Sequence, residues 1–350
     1  MRTPGYVAPT PAEARALIAR VLPPGTTNRA AWATDIYAAF GAMDIAATPE
    51  NICAVVGITD QESNFRVDPA VPGLSSIAWK EIDKQRERAG VPSLVLQAAL
   101  LITSPNGRSY KERLDAVKTE QQLSDIFDDF IGMVPMGRTF FADRNPVRTG
   151  GPMQVSVAFA ESHAASRPYP YPVTGSLRNE VFTRRGGMYF GIAHLLDYPA
   201  SYDSPIYRFA DFNAGHYASR NAGFQNAVTL LTGIPLALDG DLLRYEQGQP
   251  SKEPGSTELA TRTLARRIDM SNADIRRDLE VGRTQQFEKT RLYGAVFALA
   301  DRVGGQPAPR AVLPKIVLQS PKITRKLTTD WFANRVHARY RACLDRTSNP

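Results

Sequence analysis

The stretch TPENICAVVGITDQESNF, residues 48–65, decides how this chain is read. Thr48 offers a side-chain cap, Pro49 presets the first helical φ, and Glu50 puts negative charge at the positive end of the helix. The apolar run behind them carries the helix to about Phe65. Val55, Ile58 and Glu62 stand at i, i+3 and i+7, so Glu62 shares a helix face with core residues close to the C-terminal end. Burial and the negative end of the helix dipole both disfavour the ionised carboxylate there. A glutamate so placed would stay partly protonated near neutral pH, as a general acid must. The plainer alternative is a solvated Glu just before a helix end.

Outward from this segment the pattern stays helical. Residues 11–21 read as a short helix, and 29–41 place Trp32, Ile36 and Phe40 four apart on one face. Several helical patterns fill 76–136, a Gly-, Arg- and Asn-rich loop follows over 137–152, and another helix is expected near Val155. The prolines of RPYPYPVTG (167–175) force an irregular loop. Helices are expected over 176–197, 204–217 and 219–232. Residues 236–283 are more polar. Residues 284–303 read as one helix with Phe287, Val296, Leu299 and Val303 on one side and Gly304 as its stop. A proline-punctuated extended stretch leads to a last helix with Phe332, Val336 and Tyr340 on one face. No βαβ alternation appears, so the expected class is mainly α.

Composition bounds the function. The 350 residues are 43% hydrophobic, enough for a core, and 25 glycines with 26 prolines stay below the level of a disordered chain. No apolar stretch is long enough for a transmembrane helix. The formal net charge of +7 suits acidic partners, among them anionic lipid and cell-wall peptide carboxylates. No nucleic-acid recognition motif is present, and no nucleic-acid partner is expected. The four histidines show no HExxH spacing, so neither a metal nor another cofactor is expected. Cys53 and Cys343 form no CxxC pair and allow either one disulfide or two buried thiols. The start MRTPGYVAPTPAEA lacks the apolar core of a signal peptide and suits a mature exported chain whose signal has been removed.

Two further segments can carry chemistry. Gly150, Gly151, Pro152, Met153, Gln154 and Val155 combine glycines that let the backbone approach a ligand with an apolar contact and an amide. Ala210, Asp211, Phe212, Asn213, Ala214 and Gly215 put an Asn amide among small neighbours. An ordinary glycine loop and a solvent-facing Asn are the plainer readings of the two.

The order of the three segments is more specific than any one of them. It resembles the lytic transglycosylases of the lysozyme-like superfamily, with their E-S-x-F, G-L-M-Q-V, G-x-x-Y-L-x-x-L-L and A-Y-N-A-G motifs. Here stand Glu62-Ser63-Asn64-Phe65, Gly151-Pro152-Met153-Gln154-Val155, Gly191-Ile192-Ala193-His194-Leu195-Leu196 and Phe212-Asn213-Ala214-Gly215. The match covers roughly 50–66 and 148–232. The whole chain also resembles a family of Gram-negative outer-membrane lipoproteins, a domain of unknown function. Pro152 and Phe212 replace the usual Leu and Tyr, and 87 residues separate Glu62 from Gly150, where relatives have a few tens at most.

The resemblance implies a tether and first helix over 1–28, and a lysozyme-like catalytic core over 29–235 with a helical insertion at about 66–149. A helical C-terminal region over 236–350 would pack on that core. It implies cleavage of the MurNAc–GlcNAc bond of peptidoglycan glycan strands to 1,6-anhydromuramoyl ends, with Glu62 as the single catalytic acid and base. Ser63, Met153, Gln154, Phe212 and Asn213 would bind substrate. The alternative it leaves is an accessory envelope lipoprotein that binds peptidoglycan with little or no turnover. Either would sit in the periplasm at the outer membrane, held by a lipid anchor absent from this sequence. Asp60, Asp68, Glu161, Glu180 and Asp211 are the remaining carboxylates near the motifs. Arg184, Arg185, Lys322, Arg325, Lys326, Arg335 and Arg339 could face an acidic polymer, and Tyr169, Tyr171, Tyr189, Tyr198, Tyr202 and Tyr207 could stack on sugars; a solvated basic face and ordinary core and surface packing are the plainer readings.

Overall fold

A computed structural model describes residues 9–133, 136, 144–246, 248–318 and 327–348. The described chain is mainly helical and forms two compact units. One holds residues 9–47 and 59–193; the other holds 48–58, 194–318 and 327–348. Lys322, Arg325 and Lys326 lie outside the described residues.

In the first unit, helices α1 (Pro11–Val21) and α2 (Arg29–Ala42) pair through Ile18, Val21, Ile36 and Phe40, all buried. Arg29 donates to the carbonyls of Ala19, Leu22 and Pro23, which satisfies the bare C-terminal end of α1. Helix α3 (Pro49–Ser63) starts as its sequence dictates: the Asn51 amide donates to Thr48 Oγ1 at 3.2 Å. Its residues 49–58 belong to the second unit and its last turn to the first.

Four helices follow: α4 (Leu74–Arg88), α5 (Ser93–Leu100), α6 (Tyr110–Ala116) and α7 (Glu120–Gly132). They enclose their own small core of Leu74, Ala78, Leu100, Tyr110, Leu114 and Ile126. An Arg113–Asp129 ion pair at 2.6 Å ties α6 to α7. The buried Asn145 amide then donates to Ser124 Oγ at 3.0 Å, holding the returning chain against α7. A two-stranded hairpin, β1 (Thr149–Gly150) with β2 (Val155–Ser156), precedes α8 (Val157–Ser166).

The single helix expected over 176–197 is two, α9 (Leu177–Val181) and α10 (Arg184–Leu196). Thr183 breaks it: its hydroxyl donates to the Glu180 carbonyl and accepts from the Gly186 amide, which caps α10. Residues 184–193 of α10 belong to the first unit.

The second unit is built on α11 (Pro205–Ala214), α12 (Ala218–Thr232), α13 (Ser256–Arg262), α14 (Asn272–Glu280), α15 (Arg291–Gly304) and α16 (Thr329–Ser348), with a small hairpin of β3 (Tyr245–Glu246) and β4 (Gln249–Pro250). Phe332, Val336, Tyr340 and Cys343 form the buried face of α16, which packs on α11. Cys53 and Cys343 are bonded, their Cα atoms 5.4 Å apart. A second core gathers Phe224, Val228, Leu264, Leu279, Phe287 and Val296 around α12. Inside it the buried Arg220 guanidinium donates to the carbonyls of Gly282 and Thr284.

Residues 284–303 do not form one helix. A 3₁₀ turn (Gln285–Lys289) ends where Thr290 caps α15 through the Tyr293 amide. Val303, expected on the apolar side, is 60% exposed; the buried face is Leu292, Val296, Phe297 and Ala300.

Candidate functional site

Within the first unit the end of α3 is fixed from several sides. Ser63 is buried, and its hydroxyl donates to the Thr59 carbonyl at 3.1 Å. Glu62 beside it is half-buried. The chain leaves the helix through Asn64 at φ 49° and Phe65 at φ 57°, two consecutive non-glycine residues in the left-handed region. That conformation costs roughly 1 kcal/mol per residue and persists only where surrounding packing over-determines it. The packing is present: Phe65 is buried and meets Trp32 edge to face, centroids 5.2 Å apart. The Arg184 guanidinium lies 5.7 Å from the Trp32 ring and pairs with Asp35 at 2.6 Å. The exit turn thus anchors the helix end that carries Glu62.

The glycine segment is built as tightly. Gly150 pairs with Val155 across the hairpin. Gly151, at φ +72°, lies so near α9 that a Cβ there would sit 2.1 Å from the Val181 carbonyl oxygen. Met153 is fully buried, and Gly191 of α10 makes its room: a Cβ at 191 would be 2.5 Å from Met153 Sδ. Gln154 has φ 50°, and both its backbone amide and Nε2 donate to the Gly151 carbonyl, at 3.1 and 3.2 Å. Its half-buried side chain is therefore held over its own turn.

Helix α10 joins the two segments. Thr59, one turn before Glu62, donates its hydroxyl to Met188 Sδ at 3.9 Å, and Gly191, three residues on, receives Met153. Met188 and Gly191 share one helix face. The Glu62 end of α3 and the Gln154 turn are thus both seated on α10.

Phe212 and Asn213 belong to the second unit. Asp211 is fully buried and accepts from Tyr198 Oη at 3.2 Å, Tyr202 Oη at 2.6 Å, and the amides of Tyr217 and Ser219 at 2.9 and 2.7 Å. Burial pushes its carboxyl up while these donors favour the anion. Phe212 is half-buried; its carbonyl accepts from His194 Nε2 at 3.1 Å, and the rings lie 5.0 Å apart. Asn213 is exposed, its Oδ1 accepting from Thr329 Oγ1 at 3.2 Å. Beyond the end of α11 lies a cavity of about 320 Å³ bounded by Gly215, His216, Asp239, Asp241 and Arg283. His216 stacks on Tyr198 at 3.9 Å and on His194 at 4.6 Å. Burial holds both imidazoles below the ordinary histidine range, His194 at about 4, so both are neutral at pH 7.

The other carboxylates separate clearly. Glu180 is buried and accepts from Tyr169 Oη, the Thr174 amide and Arg185. Burial pushes its carboxyl up, but these bonds outweigh it and hold it below the carboxylate range. Burial raises half-buried Asp68 against hydrogen bonds from Thr119 and Gln121. Glu161 is exposed on α8, and Asp60 is half-buried on α3. Arg184 and Arg185 are spent on Asp35 and Glu180. Tyr169 stacks on Phe190, while Tyr198 and Tyr202 serve Asp211. Among the described residues no group of three or more His, Cys, Asp or Glu side chains is placed to hold a metal ion. Sequence reasoning missed Trp32 and Met188 as supports of the two motif segments, and Asp239, Asp241 and Arg283 at the cavity. The Asp239-Gly240-Asp241 turn was the available signal, with Gly240 at φ +82°.

Residues 25–346 match the family described as "Protein of unknown function (DUF1615)", and the chain belongs to that family. It is 57% identical over 328 residues to the Escherichia coli (strain K12) protein described as "Uncharacterized protein YaiW", across 94% of this chain and 88% of that one. No solved structure matches the chain.

Proposed function

We propose that this member of the DUF1615 family is a peptidoglycan-cleaving lytic transglycosylase with a lysozyme-like core, in which Glu62 is the catalytic acid and base. One observation carries the reading. The helix end bearing Glu62 and Ser63 and the turn bearing Met153 and Gln154 are both seated on one face of α10, each locked by left-handed backbone outside glycine. Strain concentrated at two motif segments on a common support is what a preorganised site requires.

In the proposed reaction Glu62 gives its proton to the glycosidic oxygen between N-acetylmuramic acid and N-acetylglucosamine as that bond breaks. The carboxylate then takes the proton of the muramoyl C6 hydroxyl while its oxygen bonds to C1, closing the anhydro ring and regenerating the acid. Most glycosidases need a second carboxylate for the nucleophile or base. Here the substrate supplies its own nucleophile, so one suffices. Glu180 and Asp211, both fully engaged by internal donors, remain structural. Gln154 holds sugar, and Ser63 and Met153 shape the site in the first unit. The Cys53–Cys343 bond supports an oxidising compartment and hence the periplasm, with the chain held at the outer membrane as a lipoprotein.

The second reading is an accessory peptidoglycan-binding lipoprotein of little or no turnover. Phe212 favours it, since it offers no hydroxyl where the transglycosylases have tyrosine. Digestion of purified peptidoglycan by wild type and Glu62→Gln separates the two. The enzyme reading expects cleavage to fall by a factor of about 10²–10⁴ with binding retained. Binding without cleavage by either protein establishes the accessory reading, and equal cleavage by both removes Glu62 from the mechanism.

A further inference from the structure

Helix α5 carries apolar residues on both of its faces. Leu100 is buried and Leu96 packs partly into the small core of α4–α7. On the other side Leu94, Val95, Leu101 and Ile102 are 79, 57, 64 and 48% exposed, with Ala98 exposed between them. Positions 94, 95 and 98 are i, i+1 and i+4 on the helix itself, Leu101 is its C-cap, and Ile102 follows directly. A contiguous outward apolar face of this kind marks an interaction surface.

Its surroundings say what covers it. No acidic residue occurs between Glu87 and Glu112, while Arg88, Arg108 and Lys111 lie in that interval. Arg88 ends α4 just before the α5 face begins. Arg108 sits beside its far end, where Thr103 pairs with Ser109 and the Ser104 amide donates to the Arg108 carbonyl. Both arginines are exposed and form no salt bridge among the described residues, though Arg108 Nη2 donates to the Glu112 carbonyl at 3.3 Å and Glu112 lies within its field; Lys111 pairs with Asp115 at 2.7 Å. The face is purely aliphatic. Its one amide, Gln97, donates to Ser93 Oγ at 3.2 Å. Protein interfaces are rich in aromatic anchors and directional polar pairs, and this face has neither. An aliphatic arc with cations at both ends and no anion between them fits acyl chains under anionic headgroups.

We propose that the outer face of α5 is a membrane-contact surface that inserts shallowly into a bilayer bearing anionic lipid. It is independent of Glu62 and of any attached lipid. The test is flotation of the full, unlipidated chain with vesicles of phosphatidylethanolamine and phosphatidylglycerol, and with vesicles of phosphatidylcholine. Wild type should float with the anionic vesicles and bind the zwitterionic ones at least tenfold more weakly. Leu94→Glu with Leu101→Glu should reduce anionic-vesicle binding at least tenfold while the unfolding temperature stays within a few degrees. Arg88→Glu with Arg108→Glu should abolish the preference for anionic lipid. Leu101→Trp, which keeps the face apolar, should shift tryptophan emission to the blue on adding anionic vesicles, beyond any shift of wild type. Failure of wild type to float, equal flotation of the glutamate variant, or no blue shift overturns the proposal. A concentration-dependent dimer lost in the glutamate variant, without vesicle binding, would instead assign the face to a second copy of this chain.

Discussion

The first unit ends its motif helix through two left-handed residues and leaves the Glu62 carboxyl half-buried. The second unit ends its own, α11, around Asp211, fully buried and supplied with four donors. As sequence, Asp60 to Phe65 and Ala210 to Gly215 look alike: an acid near a helix end with a small, polar neighbourhood. The structure spends backbone strain around one acid and satisfies the other completely. An acid whose oxygens are filled by tyrosine hydroxyls and backbone amides is a fold determinant, whereas the strained, well-supported turn beside Glu62 is the kind of conformation that the proposed role calls for.

That contrast breaks most sharply on substitution. Asp211→Ala leaves two tyrosine hydroxyls and two backbone amides short of their acceptor, and should cost about 3–5 kcal/mol in urea unfolding. Glu62→Gln should cost less than half of that. Equal losses would place both acids in the same structural class.

The next effect belongs to the second unit alone. The Cys53–Cys343 bond closes 290 residues of sequence, so Cys53→Ser with Cys343→Ser should lose about 3 kcal/mol, read as a lower urea midpoint. Identical midpoints with and without reductant would mean that the bond does not form in solution. The first unit offers Gly151→Ala. A methyl there meets the Val181 carbonyl in left-handed backbone and should cost about 2 kcal/mol or more. Peptidoglycan cleavage should fall with it, because Gln154 rides on that turn; unaltered cleavage would detach the turn from the site.

The smallest effect is a pH dependence. His194 is held at about 4 by burial, so below its unfolded value near 6.5 the folded state binds fewer protons than the unfolded. Its contribution is complete above about pH 6.5 and is lost as pH falls toward 4, amounting to about 2 kcal/mol between pH 6.5 and 5. His194→Gln should flatten that limb of the stability profile. An unchanged slope would put the titration elsewhere.

Much of this was legible in the sequence. Thr48-Pro49-Glu50 announced α3, and the Phe332, Val336 and Tyr340 spacing announced the buried face of α16. What escaped depended on contacts distant in sequence. Thr183 splits a helix because its hydroxyl binds Glu180 and Gly186, which periodicity cannot reveal. Val303 kept the helical spacing but faced solvent, because the apolar face of α15 is set by the core around Phe224. At the site, the motif residues could be named, but their common seat on α10 rests on Thr59–Met188 and Gly191–Met153, contacts bridging more than thirty residues.

The central claim, transglycosylation by Glu62, meets its most direct test in the mass of the products released from purified peptidoglycan. Muropeptides ending in 1,6-anhydromuramic acid, lighter by one water than their reducing-end counterparts and absent from the Glu62→Gln digest, are the predicted result. Reducing-end products would show that water is the nucleophile and that a second carboxylate acts, and no products at all would contradict an enzyme.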